Sequence, residues 1–100
     1  MDYNQSIAHK ADYGKAYFNR GVAKFSIKDY QNTIIDLEKA TQLGLEDKEI
    51  FRYLGLAQFE VKEFAEAEEI LSQVLKSGYD DQRVYYSRGI SRYYLAEEKP

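Results

Sequence analysis

The chain has 100 residues, of which 44% are hydrophobic and 31% charged, with six glycines and one proline. This composition is typical of an ordered, helix-rich protein and argues against intrinsic disorder. A net charge of −3 gives no basic surface for nucleic acid. The absence of cysteine excludes disulfides, thiolate nucleophiles and cysteine-bound zinc.

The N-terminal segment 1–13 is polar and shows the weakest pattern. We treat it as an extension that can include a short helix at about 2–10. It lacks the apolar core of a signal peptide, and no stretch of the chain approaches the ~18 apolar residues of a membrane span. We therefore predict no membrane insertion and a cytoplasmic location. A periplasmic or secreted location is the alternative, if an upstream signal has been removed.

A 34-residue internal repeat organises the remainder of the chain. Gly21, Gly55 and Gly89 are equally spaced at this period, and Gly44 and Gly78 form a second column with the same spacing. Two independent columns with one period indicate stacked repeats. Further columns lie at helical spacing around the first glycine: Tyr17, Phe51 and Tyr85 before it, then Ala23, Ala57 and Ser91, then Phe25, Phe59 and Tyr93 after it. This pattern predicts a packed helical core.

In chain order, the pattern predicts helices at about 14–27, 30–43, 47–61, 64–77 and 81–96, and no strand. Segments 43–47 and 77–81 are two versions of one connector. In each, a glycine in the left-handed conformation ends a helix and an aspartate caps the next one. Asp29 can act as an N-cap within the first hairpin, and Glu63 is a weaker candidate in the second.

These columns resemble the tetratricopeptide repeat family. Residues 17–23 resemble the first-helix motif of the family, and residues 29–40 resemble the second. The resemblance covers 14–98 and implies an all-α, right-handed solenoid of about two and a half repeats: 14–47, 48–81, and the first helix of an incomplete third at 82–100. The sequence departs from the family where Arg20 and Arg88 replace a leucine, and where the connectors lack proline.

The resemblance also implies a binding surface, because the first helix of each hairpin lines a concave groove. The groove residues it implies are Lys15, Phe18, Asn19, Val22, Arg52, Tyr53, Leu56, Arg83, Tyr86 and Ile90, with Ser26, Glu49, Glu60, Ser87 and Tyr94 in a wider set. An apolar strip rimmed by charge suits a peptide or an amphipathic helix. The alternative is that some of these side chains only contact neighbouring helices.

One known binding mode of the family can be compared residue by residue. Chaperone adaptors hold a C-terminal carboxylate with lysine, asparagine and arginine, and the matching positions here are Phe18, Val22, Tyr53, Arg83 and Ser87. Only Arg83 is a cation, so we do not expect this chain to bind an acidic chaperone tail.

No catalytic or cofactor pattern is present. His9 is the only histidine, and we expect a solvated surface residue there and not a metal ligand. GxSxG, GxxxxGK[ST] and GxGxxG do not occur. The acidic runs at 60–63 and 66–69 fall at a turn and an outer helix face. We therefore predict a non-catalytic scaffold for protein–protein interaction, with no cofactor and no metal.

Two alternatives remain open: a self-association element, and the accessory region of a larger protein. The helix containing Ile90, Tyr93 and Tyr94 has no predicted hairpin partner. We expect that the sequence is a piece of a longer protein or that another copy covers this helix, and we favour the first. If another copy covers this helix, the chain forms a homo-oligomer through its uncapped C-terminal helix.

Overall fold

The computed structural model describes residues 3–98, and for residues 3–9, 11 and 98 it describes the backbone alone. Five helices form the fold: α1 (Tyr3–Ser26), α2 (Tyr30–Gln42), α3 (Lys48–Glu60), α4 (Phe64–Lys76) and α5 (Gln82–Glu98). Residues 3–98 contain no strand. The all-α prediction is confirmed. None of these helices is long and apolar enough to span a membrane.

Helix α1 begins earlier than predicted. The helix expected at 14–27 and the short helix considered at 2–10 form one continuous helix that starts at Tyr3. Lys10 stands where the other connectors have glycine, so nothing breaks the helix there. Gly14 lies inside α1 and is buried, and a Cβ atom on it would lie 3.0 Å from the Leu45 Cβ atom. Gly14 therefore allows close packing of the 43–47 connector and does not end a helix.

Each helix packs against its neighbours in the chain. Backbone contacts join α1 to α2, α2 to α3, α3 to α4 and α4 to α5, and they also join α1 to α3 and α3 to α5. Helices α1, α3 and α5 thus lie side by side as a row, with α2 packed against both α1 and α3 and α4 packed against both α3 and α5. The assembly is elongated, measuring 56 × 27 × 26 Å.

The backbone conformations of the turns recur with the 34-residue period of the sequence repeat. Gly44 and Gly78 have φ angles of +88° and +106°, in the left-handed region predicted for the connectors. Lys28 and Lys62, in the two hairpin turns, have φ angles of +65° and +68°, a conformation uncommon for a residue with a side chain. Two hairpins of different sequence therefore close with the same backbone geometry.

The connector aspartates cap the following helices as expected. Asp47 accepts a hydrogen bond from the Glu49 amide at 2.9 Å, and Asp81 accepts one from the Arg83 amide at 2.9 Å. Asp29 does not do the same. Its carboxylate instead accepts a hydrogen bond from the Asn32 side chain at 2.8 Å and makes no side-chain bond to a backbone amide of α2. The prediction of an Asp29 cap was wrong in this respect.

Two buried clusters form the interior. The first contains Ile34, Leu37, Ala40, Ile50, Leu54 and Ala57, and the second contains Leu56, Ala67, Leu71, Val74 and Val84. Leu37 and Leu71 are fully buried at equivalent places, as are the pairs Ala40 with Val74 and Ile50 with Val84. The same hydrophobic interface is therefore built twice along the row of helices.

Candidate functional site

An aromatic cleft opens beside the first hairpin turn and is lined by side chains of α1, α3 and α5. Its volume is about 440 Å³, and its lining consists of Phe25, Ser26, Lys28, Tyr30, Arg52, Tyr53 and Arg83. These residues come from α1, from the turn after it, and from α2, α3 and α5. We call this surface the aromatic cleft. It joins residues that are far apart in the sequence, because the three helices lie side by side.

Aromatic rings form the floor of the cleft. The Phe25 ring meets Tyr53 edge to face with centroids 5.2 Å apart, and it meets Tyr30 in the same manner at 5.5 Å. Phe18, about two helical turns earlier on α1, meets Tyr53 at 6.4 Å. Such edge-to-face contacts are favourable and fix ring orientation. The four rings therefore give a preformed apolar surface, half-buried but open to solvent.

Two guanidinium groups flank the rings, and they differ in their availability. Arg52 lies over Tyr53 at 4.6 Å and is held by Glu49 at 2.6 Å and by Asp81 at 3.4 Å. Arg83 reaches from α5 across to the Phe25 ring at 4.9 Å, and its closest carboxylate is that of Glu60 at 3.9 Å. Half of the Arg83 side chain is exposed. Of the two guanidinium groups, that of Arg83 is consequently the one that a ligand in the cleft can pair with.

A polar network fixes the position of α5 relative to α3. Glu49 accepts hydrogen bonds from Arg52 at 2.6 and 2.8 Å and from the Tyr79 hydroxyl at 2.8 Å. The hydrogen bonds from Arg52 hold the pKa of Glu49 below its ordinary value of 4.5, and the bond to Glu49 raises the pKa of Tyr79 above 10.0. The network ties α3 to the connector before α5 and therefore holds the cleft walls together.

The network predicts a pH-dependent contribution to stability. Since the pKa of Glu49 is lower in the folded protein, its contribution is fully present above the unfolded pKa, near 4.5, and is lost as pH falls through the lowered folded value. We expect Glu49→Gln to lower stability at pH 7 and to reduce the loss of stability of the protein on acidification below about 4.5. Urea unfolding at several pH values measures both effects. Parallel acid profiles of the variant and the parent would contradict the assignment.

The structure places the predicted groove residues in three groups. Phe18, Arg52, Tyr53 and Arg83 lie in or beside the aromatic cleft. Ile90 lines a second cleft of about 330 Å³ with Phe59, Glu60, Lys62, Phe64 and Tyr94, and Tyr86 is 66% exposed on α5. Lys15 and Asn19 are exposed on α1, and Val22 is half-buried there.

Leu56 requires a correction. Its side chain is 1% exposed and belongs to the second buried cluster, so it is a packing residue and presents no surface to a ligand. Ser87, in the wider predicted set, is likewise buried at 2% exposure. Leu56 is covered because side chains of α4 and α5 pack around it in that cluster. A ligand in the predicted groove would need the space that these side chains fill.

The sequence pattern assigned Phe25 to interior packing and did not include Tyr30 in the groove. In the structure both rings line the aromatic cleft. The same arrangement recurs one repeat later, where Phe59 and Phe64 meet edge to face at 6.1 Å and line the second cleft. An aromatic on each side of the hairpin turn, present in both repeats, is the sequence signal that points to these clefts.

The described side chains include no group of three His, Cys, Asp or Glu residues arranged to bind a metal ion. His9 falls among the residues whose side chains are not described. No protein-family model matches the chain, and no solved structure is significantly similar to it.

Proposed function

We propose that this chain is a non-catalytic interaction scaffold of the tetratricopeptide type, which binds a peptide or amphipathic helix along the α1, α3 and α5 face. The proposal includes a right-handed solenoid of about two and a half repeats. The recurrence of turns, core leucines and hairpin aromatics at one common period supports the repeat. Hairpins that each contact their neighbours in the same manner form extended faces suited to binding.

The aromatic cleft is the observation that carries this proposal. Phe25, Tyr30 and Tyr53 form an open apolar surface, and Arg83 places an available positive charge beside it. An aromatic or branched apolar side chain fills such a cleft, and an acidic neighbour pairs with the guanidinium. We therefore propose a ligand segment in which an apolar anchor and a carboxylate lie close together.

Selection from a displayed peptide library tests the proposal, because the library itself supplies the candidate ligands. We expect peptides selected on the parent protein to carry an aromatic or branched apolar residue near Asp or Glu. Titration of a selected peptide should show a loss of affinity of roughly tenfold for Arg83→Glu, because charge reversal replaces attraction with repulsion. Fluorescence anisotropy measures the dissociation constants.

The matched control is Ile35→Asp, which introduces a charge at a residue that is 60% exposed on α2, outside the cleft. Its affinity for the selected peptide should equal that of the parent. Circular dichroism establishes that both variants remain helical. If the selected peptides bind the Arg83→Glu variant and the parent protein with equal affinity, the aromatic cleft is not their binding site.

Self-association is a second candidate function, and the tyrosines of α5 favour it. Tyr85, Tyr86 and Tyr93 are 48%, 66% and 61% exposed, an unusual concentration of exposed aromatics on one helix. Size-exclusion chromatography with light scattering over a wide concentration range distinguishes the two candidates. A concentration-dependent dimer that excludes the selected peptide would favour self-association, and a monomer that binds the peptide would favour the scaffold.

A further inference from the structure

The lining of the aromatic cleft contains three cationic side chains and no acidic one. Its cations are Lys28, Arg52 and Arg83, and the other lining residues are three aromatics and a serine. Arg52 is already neutralised, because Glu49 holds it at 2.6 Å and Asp81 at 3.4 Å. The charge that a ligand meets in the cleft therefore comes from the other two cations.

Both of these cations are accessible. The Arg83 side chain is half exposed, and the carboxylate that it pairs with, that of Glu60, lies 3.9 Å away. Lys28 is exposed, and among the described side chains it forms no salt bridge. The adjacent Asp29 pairs instead with Lys24 at 3.8 Å. An anion in the cleft can therefore pair with two positive charges from two different parts of the fold.

The geometry of the hairpin turn does not explain why a lysine stands at position 28. Its φ angle of +65° lies in the left-handed region, which glycine and asparagine adopt more readily than a residue with a long side chain. The lysine side chain nevertheless lines the cleft. Its charge therefore gives this position a use that the turn itself does not require.

The accessible arginine lies directly against the aromatic floor. The guanidinium carbon of Arg83 is 4.9 Å from the centroid of the Phe25 ring, and this ring meets those of Tyr30 and Tyr53 edge to face. A ligand ring that packs on Phe25 consequently carries its substituent close to the guanidinium group. One side chain that bears both a ring and an anion fills the cleft with less loss of conformational freedom than separate aromatic and acidic residues.

We propose that the aromatic cleft binds an aryl phosphate, the side chain of a phosphotyrosine in the peptide ligand. This inference rests on the proposed function and specifies its anchor residue. A phosphate monoester carries a charge of about −1.5 to −2 at pH 7 and has three acceptor oxygens. It can therefore accept hydrogen bonds from Lys28 and Arg83 together, whereas a carboxylate brings a single charge. The ring of the ligand packs against Phe25 and Tyr53.

The second cleft differs from the aromatic cleft at a position that matters for an anion. Phe59, Lys62 and Phe64 repeat the two aromatics and the lysine around the first hairpin turn. Glu60, however, lines the second cleft at the place that Ser26 has in the first, 34 residues earlier. A carboxylate in the lining repels a phosphate. Ser26 is therefore the residue that leaves the aromatic cleft open to an anion.

Phenyl phosphate is the probe, titrated into the isotope-labelled full chain and followed by the NMR shifts of backbone amides. We expect the largest shifts in residues 25–30 and 52–53. Phenyl sulfate should bind more weakly because it carries one charge, and phenol and inorganic phosphate more weakly still because one lacks the anion and the other the ring.

Three substitutions test the residues that carry the inference. Lys28→Asn should lower the affinity for phenyl phosphate roughly fivefold and Arg83→Gln roughly tenfold, because each removes one charged contact. Ser26→Glu should abolish saturable binding, because it places a carboxylate in the lining. Circular dichroism establishes that all three variants remain helical.

The chain offers matched controls for the two cations. Lys62 has a φ angle of +68° in the second hairpin turn, so Lys62→Asn makes the same change in the same backbone conformation outside the aromatic cleft. Arg88 lies over the Tyr85 ring at 5.7 Å, so Arg88→Gln also removes a guanidinium group from an aromatic face. Both controls should bind phenyl phosphate as tightly as the parent does.

The outcomes separate this inference from the proposed function. Phenyl phosphate that binds no more tightly than phenyl sulfate or inorganic phosphate, or that shifts amides away from the cleft, would overturn the inference. The same holds if replacing the aromatic anchor of a library-selected peptide with phosphotyrosine fails to strengthen its binding. If that selected peptide still requires Arg83, the interaction scaffold stands without the phosphotyrosine. If neither a selected peptide nor phenyl phosphate binds, both proposals fail.

Discussion

Replacing Leu71 with alanine is expected to lower the free energy of unfolding by about 3 kcal/mol or more, the cost of removing a fully buried leucine and leaving a cavity. Leu71 is 0% exposed and lies in the second buried cluster, against Gly55. Little adjustment is available around it, because the glycine brings the backbones of α3 and α4 close together. Urea unfolding followed by circular dichroism measures the change.

Ile35→Ala is the matched control for this substitution. Ile35 is 60% exposed on α2, so its truncation removes little buried surface, and its effect should stay within about 0.5 kcal/mol. A Leu71→Ala variant as stable as Ile35→Ala would contradict the position of Leu71 in the core and, with it, the packing of α4 on α3.

The glycine column gives a second prediction, in which one substitution has opposite effects at two equivalent places. In Gly55→Ala the new methyl group would meet Leu71 at 2.7 Å, and the overpacking should cost about 1–3 kcal/mol, more than the ~1 kcal/mol gained in helix propensity. In Gly89→Ala the methyl group meets no atom of the described residues within 4 Å, so the propensity gain should raise stability by about 0.5–1 kcal/mol.

The two alanine variants control for each other, because both glycines lie inside helices and occupy the same register position. Thermal melting of the parent and both variants in one buffer gives the sign of each effect. Equal shifts for Gly55→Ala and Gly89→Ala would show that the surfaces at the two positions do not differ as described, and that the surface of α5 at Gly89 is covered.

The sequence predicted the helices well because their ends depend on local chemistry. A glycine with positive φ and an aspartate cap are encoded within a few residues at each connector. The start of α1 was missed because a helix continues where no residue breaks it, and the pattern of 1–13 contains no signal for continuation. The Asp29 cap failed since Asn32 offers its carboxylate another donor.

The site was less predictable, because its lining depends on the angle between neighbouring hairpins. The repeat register identifies which face of a helix packs against the neighbouring helices. It does not give the exposed fraction of each side chain on that face. Leu56 is buried and Phe25 is accessible, although the register suggested the reverse. Likewise, Arg20 appeared only as a departure from the family pattern, and its bond to Asp36 became visible once α1 and α2 were packed together.

Within residues 3–98, each helix contacts only the helices one or two places away in chain order, and this has a consequence for folding kinetics. Short-range contacts require little loop closure before they form, so the chain should fold rapidly from whichever hairpin forms first. Unfolding should begin at the ends of the row. Hydrogen exchange would then be slowest in the middle of α3, which has neighbours on both sides, and faster in α1 and α5.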